Sequence, residues 1–186
     1  LLGVPDAIDT LGLRERVGDV QRLAVMLVDG LGYHLLPQLT QDAPLLASVL
    51  AGTTGHLSEL SCTFPSTTPT SLVSLGTGVP PGEHGVLGFT VNVPGTERVL
   101  THIFWGDEPP PAVWQSVPTW FERLHDAGVA ARAVLPEMFV GSGLTESAYR
   151  GAEFCPVAKG EPYAQRVVAE LASRGLVYGY TAALDH

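Results

Sequence analysis

Residues 22–32 read RLAVMLVDGLG, and their pattern decides the fold class. Leu23 to Val28 is an unbroken apolar run of strand length, closed by the glycine-bearing turn Asp29-Gly30-Leu31-Gly32. A short run that is apolar on both faces and ends in such a turn predicts a central strand of a parallel sheet. Asp29 then falls at the carboxyl end of that strand, the edge where open α/β sheets place their ligands. An aspartate before a glycine is also an ordinary turn former, so Asp29 alone marks nothing.

Outward from this strand, helices are expected over Tyr33–Gln38 and Ala43–Leu50, and a weakly alternating strand over His56–Thr63. The next stretch, CTFPSTTPTSLVSLGTGVPPGEHGVLG (62–88), carries a threonine-rich loop into a short apolar helix. Thr68 suits the N-cap and Pro69 the first helical position, where no N–H is needed. The helix should end at Gly76-Thr77-Gly78, and Val79–Gly85 should form a rigid loop. A hydroxyl at the positive end of a helix can face an anion, although capping threonines are far commoner than nucleophiles.

Farther along, Phe89–Val93 and Glu97–Ile103 predict a hairpin around Pro94-Gly95. Residues 107–114, DEPPPAVW, predict an irregular excursion anchored by Trp105 and Trp114. Val117-Pro118-Thr119 opens a helix with Trp120, Phe121 and Leu124 on one face and Gly128 at its end. A strand is expected over Ala130–Leu135, a helix from near Thr145, and an amphipathic helix over Pro162–Ser173 with the stripe Val167, Val168 and Leu171. The last strand, Leu176–Thr181, leads to Asp185 just beyond its end. Strand, helix and strand recur, which implies an α/β fold with a mainly parallel sheet and helices on both faces, in a single domain over 1–186.

Composition narrows the function. The 186 residues are 45% hydrophobic, enough for a sizeable core. Ten basic against 19 acidic residues give a net charge of -9, which argues against a nucleic-acid surface or an anionic membrane as partner. A phosphorylated substrate would need local cations to offset that field, and bound metal ions would supply them. Two cysteines without a CxxC pair indicate neither a disulfide scaffold nor a cysteine zinc site, and a reducing, cytoplasmic location is expected. No apolar run approaches the length that spans a bilayer. No GxxxxGK phosphate loop is present, and Gly141-Ser142-Gly143 lacks the spacing of a nucleophile elbow.

In a parallel sheet, Asp29, Thr68 and Asp185 would all follow strands and share one edge. Carboxylates beside a hydroxyl are reasonable ligands for divalent ions, and a metal-bound threonine oxygen is an activated nucleophile. Asp185 could equally be a helix cap, so the expectation rests on the coincidence of the three.

Four segments carry a resemblance: VMLVDGLG (25–32), FPSTTPTSLVSLGTG (64–78), PPGEHGVLG (80–88) and YGYTAALDH (178–186). In this order they resemble the amino-terminal part of the type I phosphodiesterase/nucleotide pyrophosphatase family of the alkaline phosphatase superfamily. The resemblance implies an alkaline phosphatase-like fold of which this chain is the amino-terminal portion. It implies Asp29 as ligand of one metal and Asp185 as ligand of a second, with Thr68 as nucleophile and metal ligand. Thr63 competes, because Thr-Phe-Pro is how many relatives write the nucleophile, and Thr67 is adjacent. Thr68 is preferred because Gly78 lies ten and His84 sixteen residues after it, the family spacing. His84 matches the family's HG histidine and is read as structural. Phe89 stands where many members carry an Asn that donates to a phosphoryl oxygen, leaving a backbone N–H, Asn92 or a residue outside the chain for that role. The family's His four residues after the second Asp would be residue 189, and its later Asp-His pair and final His are likewise outside the sequence.

The resemblance therefore implies a hydrolase of phosphodiester or pyrophosphate bonds with two divalent ions, zinc first and manganese or magnesium as alternatives. Its substrate would be a small phosphorylated molecule such as a nucleotide. A phosphomonoesterase, phosphonate hydrolase or phosphomutase on the same scaffold is the alternative, and a non-catalytic fragment that binds an anion or a partner is the rival from another class.

Overall fold

The computed structural model describes residues 1–4 and 7–185, so His186 lies outside the described residues. In chain order the elements are α1 (Leu13–Val17), β1 (Arg22–Val28), α2 (Pro44–Leu50), α3 (Thr68–Thr77), α4 (Pro81–His84), β2 (Thr90–Asn92), β3 (Val99–Thr101), α5 (Pro111–Trp114), α6 (Trp120–Asp126), β4 (Ala131–Pro136), α7 (Gly143–Tyr149), β5 (Glu153–Val157), α8 (Tyr163–Glu170) and β6 (Gly175–Thr181). Tighter 3₁₀ segments cover Tyr33–Leu39, His102–Phe104 and Glu137–Phe139. The chain divides into two compact units. One is Leu1–Leu27 with Thr63–Tyr180; the other is Val28–Cys62 with the residues from Thr181 onward.

The first unit is built on a mainly parallel sheet of order β1-β6-β4-β5. β4 runs parallel to both neighbours, with Val134 opposite Cys155 on one side and Gly179 on the other. The middle strands are the continuous apolar runs: every residue from Gly175 to Tyr180 is buried, as are Ala133, Val134 and Leu135. β1 occupies an edge, not the centre expected of it, and leaves Val25 37% and Met26 45% exposed. Its apolar run is that of a buried strand, but strand order depends on pairing partners that no local pattern encodes. β5 was not anticipated, because Pro156 interrupts its short run; an edge strand tolerates a proline.

Strand alternation divides the core between the two faces of the sheet. On one, Val134, Cys155, Val157 and Val177 pack with Val167 of α8, joined by Tyr163 and Leu171. Tyr163 donates to the Val134 carbonyl at 3.1 Å, and burial pushes its phenol up to about 12. Val168, expected in the same stripe, is 68% exposed, since one residue along a helix turns the side chain by about 100°. On the other face, Tyr178 meets Phe121 of α6 and Tyr149 of α7, with ring centroids 5.9 and 4.9 Å away. Helices thus pack on both faces, as expected.

Several local expectations hold and others shift. β2 and β3 form the antiparallel hairpin, with Val91 opposite Leu100. Thr119 closes a capping box with Glu122 at the start of α6. Residues 56–63 form no strand; their weak alternation has no partner strand to pair with. The excursion over 107–114 and the loop over 79–85 each enclose one helical turn, α5 and α4, both started by a proline. α7 begins at Gly143, two residues before Thr145, because the Ser142 hydroxyl caps it by accepting from Thr145 N–H at 3.2 Å. Trp105 and Trp114 do anchor their loop: their indole N–H groups donate to the carbonyls of Pro109 and Gly85 at 2.8 and 3.1 Å.

α3 is the most constrained helix of this unit. Leu72, Val73, Gly76 and Thr77 are buried, and a Cβ on Gly76 would fall 2.0 Å from the Ala148 carbonyl oxygen of α7. The helix therefore runs through Gly76 instead of stopping there. It ends at Gly78, whose φ of 77° is left-handed and whose missing Cβ would strike the Trp120 indole at 2.5 Å. Thr77 bonds back to the Val73 carbonyl at 2.7 Å, and buried His84 ties α4 to α3. The His84 Nδ1 accepts from Val86 N–H at 3.1 Å, so its Nε2–H donates to Ser74 Oγ at 2.7 Å. This is the structural role expected of His84.

Substituting Gly76→Ala should lower the unfolding free energy by about 3 kcal/mol, because a backbone carbonyl cannot yield to the new methyl. Gly82→Ala, with nothing within 4 Å of its Cβ, should cost under about 0.5 kcal/mol. Denaturant midpoints of the two variants check this. Burial also pushes the pKa of His84 and His102 below the ordinary value of 6.5. Below 6.5 the unfolded chain binds protons that the folded chain does not, so their stabilisation is complete above that pH and lost as pH falls through it. Unfolding free energy should drop between pH 7 and 5.5, with a slope of up to about 1.4 kcal/mol per pH unit for each histidine. A flat profile over that range would contradict this assignment.

Candidate active site

In the first unit, α3 begins at Thr68 with Thr67 at the N-cap, one position earlier than expected. Thr68 is thus the first helical residue and not the cap. The cap residue Thr67 makes no side-chain bond to the helix N–H groups, and its hydroxyl pairs with Thr70 Oγ1 at 2.9 Å. Thr68 and Pro69, which has no N–H, open the positive end of a ten-residue helix.

Thr68 also stands on the wall of a cleft of about 70 Å³. Its other walls come from α3 (Leu72), the 3₁₀ segments (Ile103, Phe139), the end of β4 (Leu135), α7 with its cap, and Tyr180 of β6. None of the lining side chains is charged. The sequence reading did not anticipate this cleft. Its residues come from six separate segments, and the one local hint was Tyr180 at the end of a buried strand.

Thr63 and Thr68 differ in their surroundings. The Thr63 hydroxyl donates to the Pro65 carbonyl at 3.0 Å and lies 2.9 Å from Ser71 Oγ, which donates to it. The Ser71 bond ties the threonine loop to α3. Thr63 is not among the residues of the cleft. Phe89 and Asn92 are both exposed; the Phe89 carbonyl accepts from His102 N–H at 3.0 Å, and Asn92 sits opposite Val99 in the hairpin.

The second unit holds both aspartates. Asp29 directly follows β1, accepts from the N–H of Gly30 at 3.0 Å through Oδ1, and donates its own N–H to the Thr181 carbonyl at 2.9 Å. Asp185 lies in the turn after β6, its N–H bonded to the Ala182 carbonyl at 3.1 Å. The two segments touch at Gly30, whose φ is 78° and whose Cβ would fall 2.7 Å from the Leu184 carbonyl oxygen and 3.0 Å from Asp185 Cα. Glycine there lets the two aspartate-bearing turns close on one another. Two carboxylates are fewer than the three or four protein ligands a zinc ion takes. Among the described residues no group of three or more His, Cys, Asp or Glu gathers around a common point. The described residues therefore do not by themselves complete a metal site.

In fold the chain is similar to a phosphonoacetate hydrolase from Sinorhizobium meliloti 1021. With the structure in complex with phosphonoacetate the TM-score is 0.63 at 17% identity, covering 89% of this chain and 47% of that one. With the structure in complex with phosphonoformate it is 0.60 at 18% identity, covering 89% and 46%. The chain thus spans about half the length of these solved structures, and its fold is alkaline phosphatase-like. No individually curated protein matches its sequence. Among the described residues no helix is long and apolar enough to cross a membrane. Residues 23–181 match the family described as Type I phosphodiesterase / nucleotide pyrophosphatase, and the chain belongs to that family.

Proposed function

We propose that this chain is the amino-terminal portion of the catalytic domain of a hydrolase of phosphodiester or pyrophosphate bonds, with Thr68 as its nucleophile. The observation that carries the reading is the position of Thr68, which opens α3 and lines a cleft, in a chain that matches the family across both flanking strands. Thr63 is not among the residues of the cleft, which supports Thr68 over its rival.

In this reading the Thr68 oxygen attacks phosphorus in line. A phosphorus–oxygen bond to Thr68 forms as the bond to the leaving oxygen breaks; the threonine proton is released and the leaving oxygen takes one up. Water then hydrolyses the phosphothreonine and restores the hydroxyl. The positive end of α3, which Thr68 opens, faces the negative charge that grows on the phosphoryl oxygens. Asp29 and Asp185 are proposed as carboxylate ligands of two divalent ions, zinc first, whose remaining ligands lie elsewhere in the polypeptide. With no Asn at position 89, backbone N–H groups are left to contact the phosphoryl oxygens. A nucleotide is one substrate of suitable chemistry. Hydrolysis of a phosphonate is a second reading, favoured by the activity named for the fold neighbours.

In the full-length protein, Thr68→Ala should lower kcat by about 10⁴-fold or more while the far-ultraviolet spectrum and melting transition stay native. Thr63→Ala should lower kcat less than about tenfold and cost about 1 kcal/mol of stability through the lost loop bonds. Kinetics on chromogenic monoesters, diesters and phosphonates measure both effects and rank the substrate classes. Loss of turnover in Thr63→Ala with retention in Thr68→Ala would move the nucleophile to Thr63.

A further inference from the structure

The cleft on whose wall Thr68 stands is chemically selective. Leu72, Leu135 and Leu144 are its buried apolar walls, and Ile103 forms a half-open rim. Two of its small hydroxyls, those of Ser142 and Thr145, are already spent on the protein. Ser142 Oγ donates to Thr145 Oγ1 at 2.9 Å, and Thr145 Oγ1 donates to the Phe139 carbonyl at 2.6 Å. The phenol of Tyr149 pairs with that of Tyr178 at 3.0 Å. No lysine, arginine or histidine lines the cleft. A carboxylate or phosphate entering it would lose its hydration without gaining a counter-charge or a donated proton from Ser142 or Thr145, which is strongly unfavourable.

Size narrows the class further. A dry apolar cavity of about 150 Å³ holds a benzene ring in another protein, so 70 Å³ has room for about two or three carbon atoms. A nucleobase is too large to enter. We propose that this cleft is the subsite for a small uncharged alkyl group carried by the substrate, of ethyl to propyl size. Within this cleft an uncharged alkyl substituent is thus favoured over an anionic one. This rests on the reading of Thr68 as the reacting residue, because the wall that Thr68 forms places the alkyl group beside the phosphorus.

The test is equilibrium binding, which does not depend on turnover. Methyl-, ethyl- and propylphosphonate and 2-carboxyethylphosphonate are titrated into full-length protein carrying labelled Leu and Ile methyl groups. Propylphosphonate should bind about tenfold more tightly than methylphosphonate, as two further buried methylenes require. It should shift the methyl signals of Leu72, Ile103, Leu135 and Leu144. The carboxyethyl compound should bind more weakly than methylphosphonate. Ile103→Trp, which fills the cleft from its rim, should bring the propyl-to-methyl affinity ratio down to about one. Equal affinities along the alkyl series, absent binding, tight binding of the carboxyethyl compound, or shifts confined to other methyl groups would each overturn the proposal. Loss of the nucleophile assignment would show instead in the kinetics of Thr68→Ala, leaving these affinities as measured.

Discussion

Everything in the first unit depends on how closely α3 approaches α7. The Ala148 carbonyl lies where any side chain at position 76 would begin, so only glycine permits the contact. That approach seats the buried flank of α3, Leu72 and Val73, against the aromatic side of the sheet, where Phe121, Tyr149 and Tyr178 pack. It also sets the start of the helix, and therefore the position of Thr68. The other end is fixed separately. Thr77 folds back on Val73, Gly78 turns left-handed beneath Trp120, and His84 bonds to Ser74 one turn inside the helix. The TG and HG pairs that carry the family resemblance are thus parts of the clamp on α3, at the end opposite Thr68.

The same packing explains the cleft. Along β6 and at the end of β4, side chains of one parity face α8 and those of the other face α6 and α7. Tyr180 and Leu135 belong to the second set, and with Leu72 and the α7 residues they enclose an apolar space that opens beside Thr68. The hydroxyls of Ser142, Thr145 and Tyr149 are bonded within the protein and no charged side chain lines the space, so it offers mainly shape and desolvation. Such a surface discriminates by size and charge of the bound group.

Much of this was legible in the sequence because the signals are local. The apolar run of β6, the helix opened by Val117-Pro118-Thr119, the hairpin at Pro94-Gly95 and the glycine-bearing end of α3 each follow from backbone rules acting over a few residues. Pairing partners are not local. For this reason β1 reads as a central strand and lies at an edge, residues 56–63 read as a strand and are irregular, and β5 goes unread behind its proline. The spacing to Gly78 and His84 points to Thr68, yet its expected place at the cap is off by one: the helix takes in Thr68, and Thr67 becomes the cap residue. The cleft left no sequence signal because its walls come from six segments that only the tertiary fold assembles.

The central claim is that Thr68 carries the phosphoryl group during turnover. The most direct measurement is acid quenching of the full-length protein during turnover of an activated phosphodiester, followed by peptide mass spectrometry of residues 62–88. A phosphoryl group on Thr68, absent from the Thr68→Ala protein, is the expected result. A phosphoryl group on Thr63, or turnover at full rate with no modified residue in this segment, would contradict the account.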